Sequence, residues 1–239
     1  MSRTGGSGST RTRRGPGGRG TDGGRFITFE GPDGSGKSTQ AARLAESLRA
    51  RGLDVVLTRE PGGTPLGERV RGVLLDHDGG PAHTARADAL LFNAARAQHV
   101  DDVIEPALAR GAVVVCDRYA DSTVAYQGYG SGLPVDRLRE IGAFATRRVT
   151  PDLTLLLDLS VEAGLARRFA GAPEGVTRFE SPDAFDAAFH ERVRAGFLEL
   201  ARAEPARWRL IDADRPADAI AGDVYVEVEM FLALTREAR

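Results

Sequence analysis

Short hydrophobic runs alternate with longer amphipathic stretches from residue 25 onward. The runs at 26–30, 54–58, 112–116, 153–157 and 208–211 are mainly apolar, and each has the length of a β-strand. Apolar strands that alternate with helices are typical of a parallel sheet that is covered by helices on both faces. The pattern therefore predicts a three-layer α/β domain with a five-stranded parallel sheet.

Local signals mark the ends of several elements. Proline stands at the first position of three predicted helices, after Thr64, Ser181 and Arg215. Residues 171–181 contain Gly and Pro between two helical patterns, and they are interpreted as a mobile lid, with a plain surface loop as the alternative. Residues 1–24 are Gly, Ser and Arg with no hydrophobic residue after Met1, which predicts a disordered basic tail before a domain at 25–239.

Composition excludes several classes of protein. A hydrophobic content of 41% over 239 residues is that of a globular chain, not of a collagen, a coiled coil or a disordered protein. No apolar stretch is long enough to cross a membrane, and the amino terminus lacks the apolar segment of a secretory signal. We therefore expect a cytoplasmic protein without membrane contact. Cys116, the single cysteine, lies in an apolar run and is expected in the core.

The basic residues are unevenly distributed. Five arginines and one aspartate lie within residues 1–24, so the remaining chain is more acidic than the overall net charge of −2. An acidic body argues against extended nucleic-acid binding, and anionic ligands would have to meet local clusters of cations. Of the 32 basic residues only Lys37 is a lysine. The position of this lysine is therefore informative.

Lys37 belongs to the sequence GPDGSGKS at 31–38, which matches the phosphate-binding pattern G-x-x-x-x-G-K-[ST]. The motif stands between a predicted strand and a predicted helix, as it requires. Its glycines let backbone N–H groups surround phosphates, its lysine adds a positive charge, and the Ser38 hydroxyl can hold Mg²⁺. We expect ATP or GTP to bind through Gly31, Pro32, Asp33, Gly34, Ser35, Gly36, Lys37, Ser38 and Thr39.

Charged residues follow two other predicted strands, at the sheet edge where ligands of parallel α/β proteins bind. Asp117 is placed as a second Mg²⁺ ligand, and Arg118 beside it and Arg59 after the second strand suit a phosphate. The alternative is that these residues end their strands in solvent. Phe92 and Arg96 share a helix face, where a ring and a guanidinium can address one planar base, although a core position also suits Phe92.

Longer stretches carry a resemblance to a known family. They are FEGPDGSGKST, TREPGGTPLGERVR, LLFNAARAQHV, CDRYADSTVAYQGYG, PDLTLLLD and TRFE, in order from residue 29 to residue 180. With these stretches the chain resembles the bacterial thymidylate kinases. The resemblance implies a P-loop kinase fold, phosphorylation of dTMP by ATP with Mg²⁺ on the route to dTTP, and a homodimer.

The resemblance also implies an acceptor site. Its residues would be Asp33, Arg59, Arg71, Phe92, Arg96, Arg118, Ser122, Thr123, Tyr126 and Gln127. Arg59 and Arg118 would hold the acceptor phosphate, with Arg71 as a further contact. Phe92 would stack on thymine and Arg96 would reach its carbonyl edge, while Ser122, Thr123 and Gln127 line the base pocket. Tyr126 would crowd the 2′ side of the sugar.

Catalysis would rest on Lys37, Asp33 and Arg118, together with one further arginine. Relatives carry that arginine either in the phosphate-binding loop or in the lid, and this chain has Gly34 at the loop position. The lid side would then supply it, from Arg167, Arg168 or Arg178.

Three other functions are weighed against this one. A different nucleoside monophosphate kinase on the same fold would prefer another base. A nucleotide-dependent switch would hydrolyse ATP or GTP slowly, and no monophosphate would change its rate. A P-loop protein without activity would lack residues needed to bind phosphate and Mg²⁺. This chain has those residues, at Lys37, Ser38 and Asp117.

Overall fold

The computed structural model of the chain describes residues 23–75, 83–171 and 187–237. The strands are Arg25–Glu30 (β1), Val55–Arg59 (β2), Val113–Asp117 (β3), Leu153–Asp158 (β4) and Trp208–Asp212 (β5). They pair in parallel in the order β2-β3-β1-β4-β5. The predicted five-stranded parallel sheet is therefore confirmed, and every predicted strand boundary is correct to within one residue.

The described helices surround this sheet. They are Lys37–Ala50 (α1), Pro65–Leu75 (α2), Ala85–His99 (α3), Glu105–Ala109 (α4), Ala120–Thr123 (α5), Val135–Ala145 (α6), Val161–Gly171 (α7), Ala187–Ala203 (α8) and Ala217–Glu237 (α9). A wider π-helical turn, Val100–Ile104, joins α3 to α4, and a second, Val124–Gly130, continues α5. Turns of this type are frequent at functional sites.

Two of the three predicted helix starts are confirmed. Helix α2 begins at Pro65, where the Oγ1 of Thr64 accepts a hydrogen bond from the Gly67 N–H at 2.9 Å. Helix α9 begins directly after Pro216. The third predicted start, at Ser181, lies outside the described residues, as do residues 1–22 of the predicted tail and residues 172–181 of the predicted lid.

Both faces of the sheet are buried. Along β3, Val113 and Val115 belong to the core on one face, where α1 and α9 cover the sheet. Val114 and Cys116 alternate with them and pack on the opposite face, so the expected core position of Cys116 is confirmed. The alternation is that of a strand covered on both sides, which confirms the three-layer α/β architecture. No helix among the described residues combines the length and apolar character needed to cross a bilayer.

The register brings three strand ends to one place. Asp117 at the end of β3 pairs with Arg59 at the end of β2 and with Phe29 near the end of β1. The loop at 31–36 leaves the sheet directly beyond Glu30. Because all strands are parallel, the residues that follow them meet at a single carboxyl edge.

Candidate active site

The phosphate-binding loop folds around its own lysine. Lys37 begins α1, and its Nζ donates to the carbonyl oxygen of Pro32 at 2.7 Å and to Ser35 Oγ at 3.3 Å. The side chain is 6% exposed. Burial, and then the nearby Arg118, lower the pKa of Lys37 to about 8. The strand, the loop and the helix follow one another as expected, and the ammonium group of Lys37 is held inside the loop.

Ser38 and Asp117 meet at the mouth of this loop. The Ser38 hydroxyl donates to Oδ2 of Asp117, while Oδ1 of Asp117 is buried and has no hydrogen-bond partner among the residues that the structure describes. A hydroxyl beside an unsatisfied carboxylate oxygen suits Mg²⁺, which takes few protein ligands beside phosphate oxygens and water. No cluster of three or more His, Cys, Asp or Glu side chains able to hold a metal occurs in the described parts of the chain. The pair therefore fits a magnesium ion that a nucleotide helps to hold.

Asp33 connects the loop to the segment that follows β3. Arg118 donates through Nη2 to Asp33 and to the Tyr126 hydroxyl, the latter at 3.2 Å, and through Nη1 to Ser122 Oγ at 3.2 Å. The Tyr126 hydroxyl donates to the second carboxylate oxygen of Asp33 at 2.9 Å. Burial raises the pKa of Tyr126, so this hydroxyl keeps its proton. Four residues that the sequence placed in one acceptor site thus form one hydrogen-bonded group.

Two more arginines lie on either side of the turn after β2, Arg59 at the end of β2 and Arg71 in α2. Arg59 donates through Nη2 to both carboxylate oxygens of Glu68, at 3.1 and 3.0 Å, and Glu68 also accepts the Gly63 N–H at 3.0 Å. Arg71 donates to the Pro61 carbonyl oxygen at 2.9 Å. Burial and the charge of Arg59 lower the pKa of Arg71, which places the two guanidinium groups close to each other. Such a pair suits an anion with more than one charge.

The residues expected around the base lie deeper. Arg96 is 1% exposed and donates to Glu60, Asn93, Thr123 and the Tyr119 carbonyl oxygen. Phe92 is half-buried and packs against an apolar cluster of α2 and α3. Gln127 is buried, and within the described parts of the chain its Oε1 has no hydrogen-bond partner. Arg96 and Thr123 are thus in direct contact, while Gln127 keeps an acceptor that a ligand can use.

A cavity adjoins the phosphate-binding loop between α1 and the start of α9. It has a volume of about 540 Å³ and is lined by loop residues, by Thr39 and Gln40 of α1, and by residues 214–217 before and at the start of α9. Arg167 also lines it, and its guanidinium donates to the Ala213 carbonyl oxygen at 2.6 Å. This position beyond the loop suits the base and sugar of a donor nucleotide.

The close approach of the α7 backbone to Gly34 explains why the loop has no arginine at this position. The φ of Gly34 is +77°, and a Cβ placed there would lie 2.3 Å from the carbonyl oxygen of Gly164 in α7. Any larger residue would collide with that backbone. The candidate arginines on the lid side are described only in part, because Arg178 and the side chain of Arg168 lie outside the described residues.

Sequence reasoning missed several residues of this site. Glu30, Glu60 and His99 are buried. Glu30 accepts a hydrogen bond from Ser122, Glu60 accepts one from Arg96, and His99 bonds to Glu60. Glu60 and His99 lie inside the stretches TREPGGTPLGERVR and LLFNAARAQHV, so their place beside predicted residues was the available signal. Their chemistry was not visible because their partners come from distant elements.

Comparison with known proteins gives a consistent result. The family model described as thymidylate kinase matches residues 29–224. The chain is 53% identical to the thymidylate kinase of Thermomicrobium roseum over 85% of this chain and 93% of that protein. It is 51% identical to that of Deinococcus radiodurans over 86% and 96%. The crystal structure of thymidylate kinase from Ehrlichia chaffeensis aligns with a TM-score of 0.68 at 35% identity, covering 86% of this chain and 99% of that one. By model, relatives and site, the chain belongs to the thymidylate kinase family.

Proposed function

We propose that the protein transfers the γ-phosphoryl group of ATP to dTMP, giving ADP and dTDP. One observation carries this proposal beyond the family assignment. Arg118 is shared between Asp33 of the donor loop and the acceptor-side residues Ser122 and Tyr126. Two phosphate-binding regions therefore face each other across one guanidinium, as a transfer between two nucleotides requires.

In this reaction an oxygen of the dTMP phosphate attacks the γ-phosphorus, and the bond to the bridging oxygen of ADP breaks. The protein has to align two anionic groups and to place positive charge around the transferring group. Lys37 and the loop N–H groups hold the donor phosphates. Arg118, Arg59 and Arg71 hold the acceptor phosphate, and the Asp33 carboxylate keeps Arg118 in place until substrate arrives. Mg²⁺ held by Ser38 and Asp117 would neutralise charge on the donor phosphates.

The base would lie beside α3 and the π-helical turn after α5. Phe92 offers a ring face, Arg96 offers an N–H to a carbonyl oxygen, and Gln127 and Thr123 complete the polar lining. Tyr126, whose hydroxyl donates to Asp33 at 2.9 Å, would meet the sugar. The further catalytic arginine comes from the lid side, at Arg167, Arg168 or Arg178, because the Gly34 position is closed to a side chain.

The protein also forms a homodimer in this proposal. Four of the exposed large apolar side chains lie on α3 and on two helices that contact it, namely Leu66 and Val73 on α2, Leu90 on α3 and Phe144 on α6, the last at 88%. Exposed apolar side chains of this size support an interface between copies. Sedimentation of Phe144→Asp should show a monomer where the unmodified chain shows a dimer, and a dimeric variant would contradict this interface. The cytoplasmic location expected from the sequence stays a prediction.

The decisive experiment for function is a coupled assay of ADP release with a panel of nucleoside monophosphates. We expect dTMP to be the best acceptor, with dUMP moderately poorer, because one methyl group is worth about 1–3 kcal/mol in a fitted pocket. Rates with dGMP, dAMP or CMP that equal or exceed the dTMP rate would favour another monophosphate kinase. Slow hydrolysis that no monophosphate changes would favour a nucleotide switch.

A further inference from the structure

A chain of buried hydrogen bonds runs from the end of β2 to Arg96. Thr58 Oγ1 lies 2.7 Å from Nε2 of His99, and Nδ1 of His99 lies 2.9 Å from Oε1 of Glu60. The other oxygen of Glu60 accepts from Nε of Arg96 at 2.7 Å. His99, Glu60 and Arg96 are 0%, 5% and 1% exposed. No step of the proposed reaction uses His99 or Glu60.

The hydrogen bond between His99 and Glu60 has a defined direction. A carboxylate only accepts hydrogen bonds, so Nδ1 of His99 must carry the proton that it shares with Glu60. At Nε2 the Thr58 hydroxyl can either donate or accept, since a hydroxyl does both. In each case the Nδ1 N–H of His99 holds the carboxylate that binds Arg96.

Arg96 has one N–H left for a ligand. Its guanidinium has five N–H donors. Nε donates to Glu60, Nη2 donates to the Tyr119 carbonyl oxygen and to Thr123 Oγ1, both at 3.1 Å, and Nη1 donates to Asn93 at 3.0 Å. The second N–H of Nη1 has no partner among the described residues. Its direction is set by the four bonds that hold the rest of the group.

We propose that His99 is a positioning residue for base recognition, which acts through Glu60 to aim the free N–H of Arg96 at the carbonyl oxygen at position 4 of the acceptor base. This inference rests on the proposed function, in which Arg96 addresses the base. A donor fixed in that direction favours thymine and uracil, which have an oxygen at position 4, over cytosine, which has an amino group there. His99 itself does not touch the base.

The tight turn after β2 packs closely against this chain of hydrogen bonds. A Cβ at Gly63, where φ is +76°, would lie 2.7 Å from Nε2 of His99 and 2.8 Å from Thr58 Oγ1. Only glycine therefore lets the backbone approach the imidazole so closely.

The test measures kcat/KM for dTMP, dUMP and dCMP on the same preparation of each variant. A ratio between two substrates is independent of the fraction of folded enzyme, so partial unfolding does not change it. dTMP and dUMP share the oxygen at position 4 and differ in a methyl group. Loss of the positioning effect should therefore change the dTMP to dCMP ratio and leave the dTMP to dUMP ratio as it is.

Two substitutions of His99 distinguish the hydrogen bond of Nδ1 from that of Nε2. The amide nitrogen of His99→Asn lies near the position of Nδ1 and can still donate to Glu60. The longer His99→Gln reaches the Nε2 position instead and leaves Glu60 without that donor. We expect His99→Gln to lower the dTMP to dCMP ratio about tenfold and His99→Asn to keep it within about twofold of the unmodified enzyme. The milder Thr58→Val should lower it about threefold.

The outcomes are distinct. Unchanged dTMP to dCMP ratios in His99→Gln and Thr58→Val would overturn the inference, and so would equal changes in the dUMP and dCMP ratios, which indicate a merely distorted pocket. An unmodified enzyme that does not phosphorylate dTMP would instead refute the proposed function. An unmodified enzyme active on dTMP but equally active on dCMP would leave the kinase assignment intact and overturn the role of Arg96, and with it that of His99.

Discussion

The donor loop and the base-binding side of this site are built in opposite ways. Lys37 is held by Pro32 and Ser35, partners within five residues of it along the chain. Arg96 is held by side chains or carbonyls of Glu60, Tyr119 and Thr123, which come from separate elements. The loop is therefore a local structure that one stretch of sequence can specify. The base side depends on how the whole domain packs, and in our proposal its selectivity also depends on His99, which does not contact the base.

The largest expected effect breaks the donor side. Lys37→Ala should lower kcat about a hundredfold or more, because a preorganised charge at the transferring group is lost. The measurement is steady-state ADP release with saturating dTMP. Arg110→Ala is the matched control, since it removes an exposed cation that pairs with Asp54 at the opposite end of the sheet. Near-normal turnover in Lys37→Ala would contradict the role of the loop.

The arginine proposed to hold the acceptor phosphate should give the next largest effect. Arg118→Lys keeps the charge and loses the planar fork that bonds Asp33, Tyr126 and Ser122 together. We expect kcat/KM for dTMP to fall about tenfold to thirtyfold, with KM for ATP changing by less than about threefold. Equal losses for both substrates would show that Arg118 belongs to the donor side as well.

A pH profile tests the charge of Lys37 in the donor loop and leaves the residues of the acceptor side unchanged. The pKa of Lys37 is lowered to about 8, and its ammonium is charged below that pH and neutral above it. kcat/KM for ATP, which reports the free enzyme, should therefore fall as the pH rises above about 8. Lys37→Arg should show a flatter profile, because a guanidinium stays charged. Identical profiles in the two proteins would assign the titration to another group.

The smallest effect separates stability from base selectivity. Thr84 caps α3, and its Oγ1 accepts a hydrogen bond from the Ala87 N–H at 3.2 Å. Thr84→Ala should lower the free energy of unfolding by about 1 kcal/mol in urea titrations. The dTMP to dCMP ratio should not change, because four hydrogen bonds fix Arg96 far along the helix. A changed ratio would mean that the base side follows the stability of α3.

The same contrast explains what the sequence could predict. Strand runs such as 112–116 were identified because burial on both faces makes them continuously apolar. The loop around Lys37 was identified because backbone geometry demands glycines at fixed spacing. Asp117, Arg118 and Arg59 followed from strand ends, since a parallel sheet brings those ends together, as the pairing of Arg59 with Asp117 confirms.

Other parts of the site were beyond the sequence for a physical reason. Glu60 and His99 are common polar residues in a helical or turn context, and nothing in their spacing shows that they are buried together. Their partnership depends on the approach of α3 to the turn after β2, which is a tertiary contact. The ion pair of Arg59 with Glu68 is likewise settled only by the rotation of α2.

The buried lysine of the donor loop has a practical consequence for chemistry on this protein. Apart from the amino terminus, Lys37 is the only primary amine of the chain, and a pKa of about 8 leaves much of it neutral, and hence nucleophilic, in mildly alkaline buffer. An acylating reagent that reaches the loop would thus mark one internal position on each chain. Nucleotide bound in the loop would shield that position, so the extent of labelling would report occupancy directly, a readout that a lysine-rich kinase cannot offer.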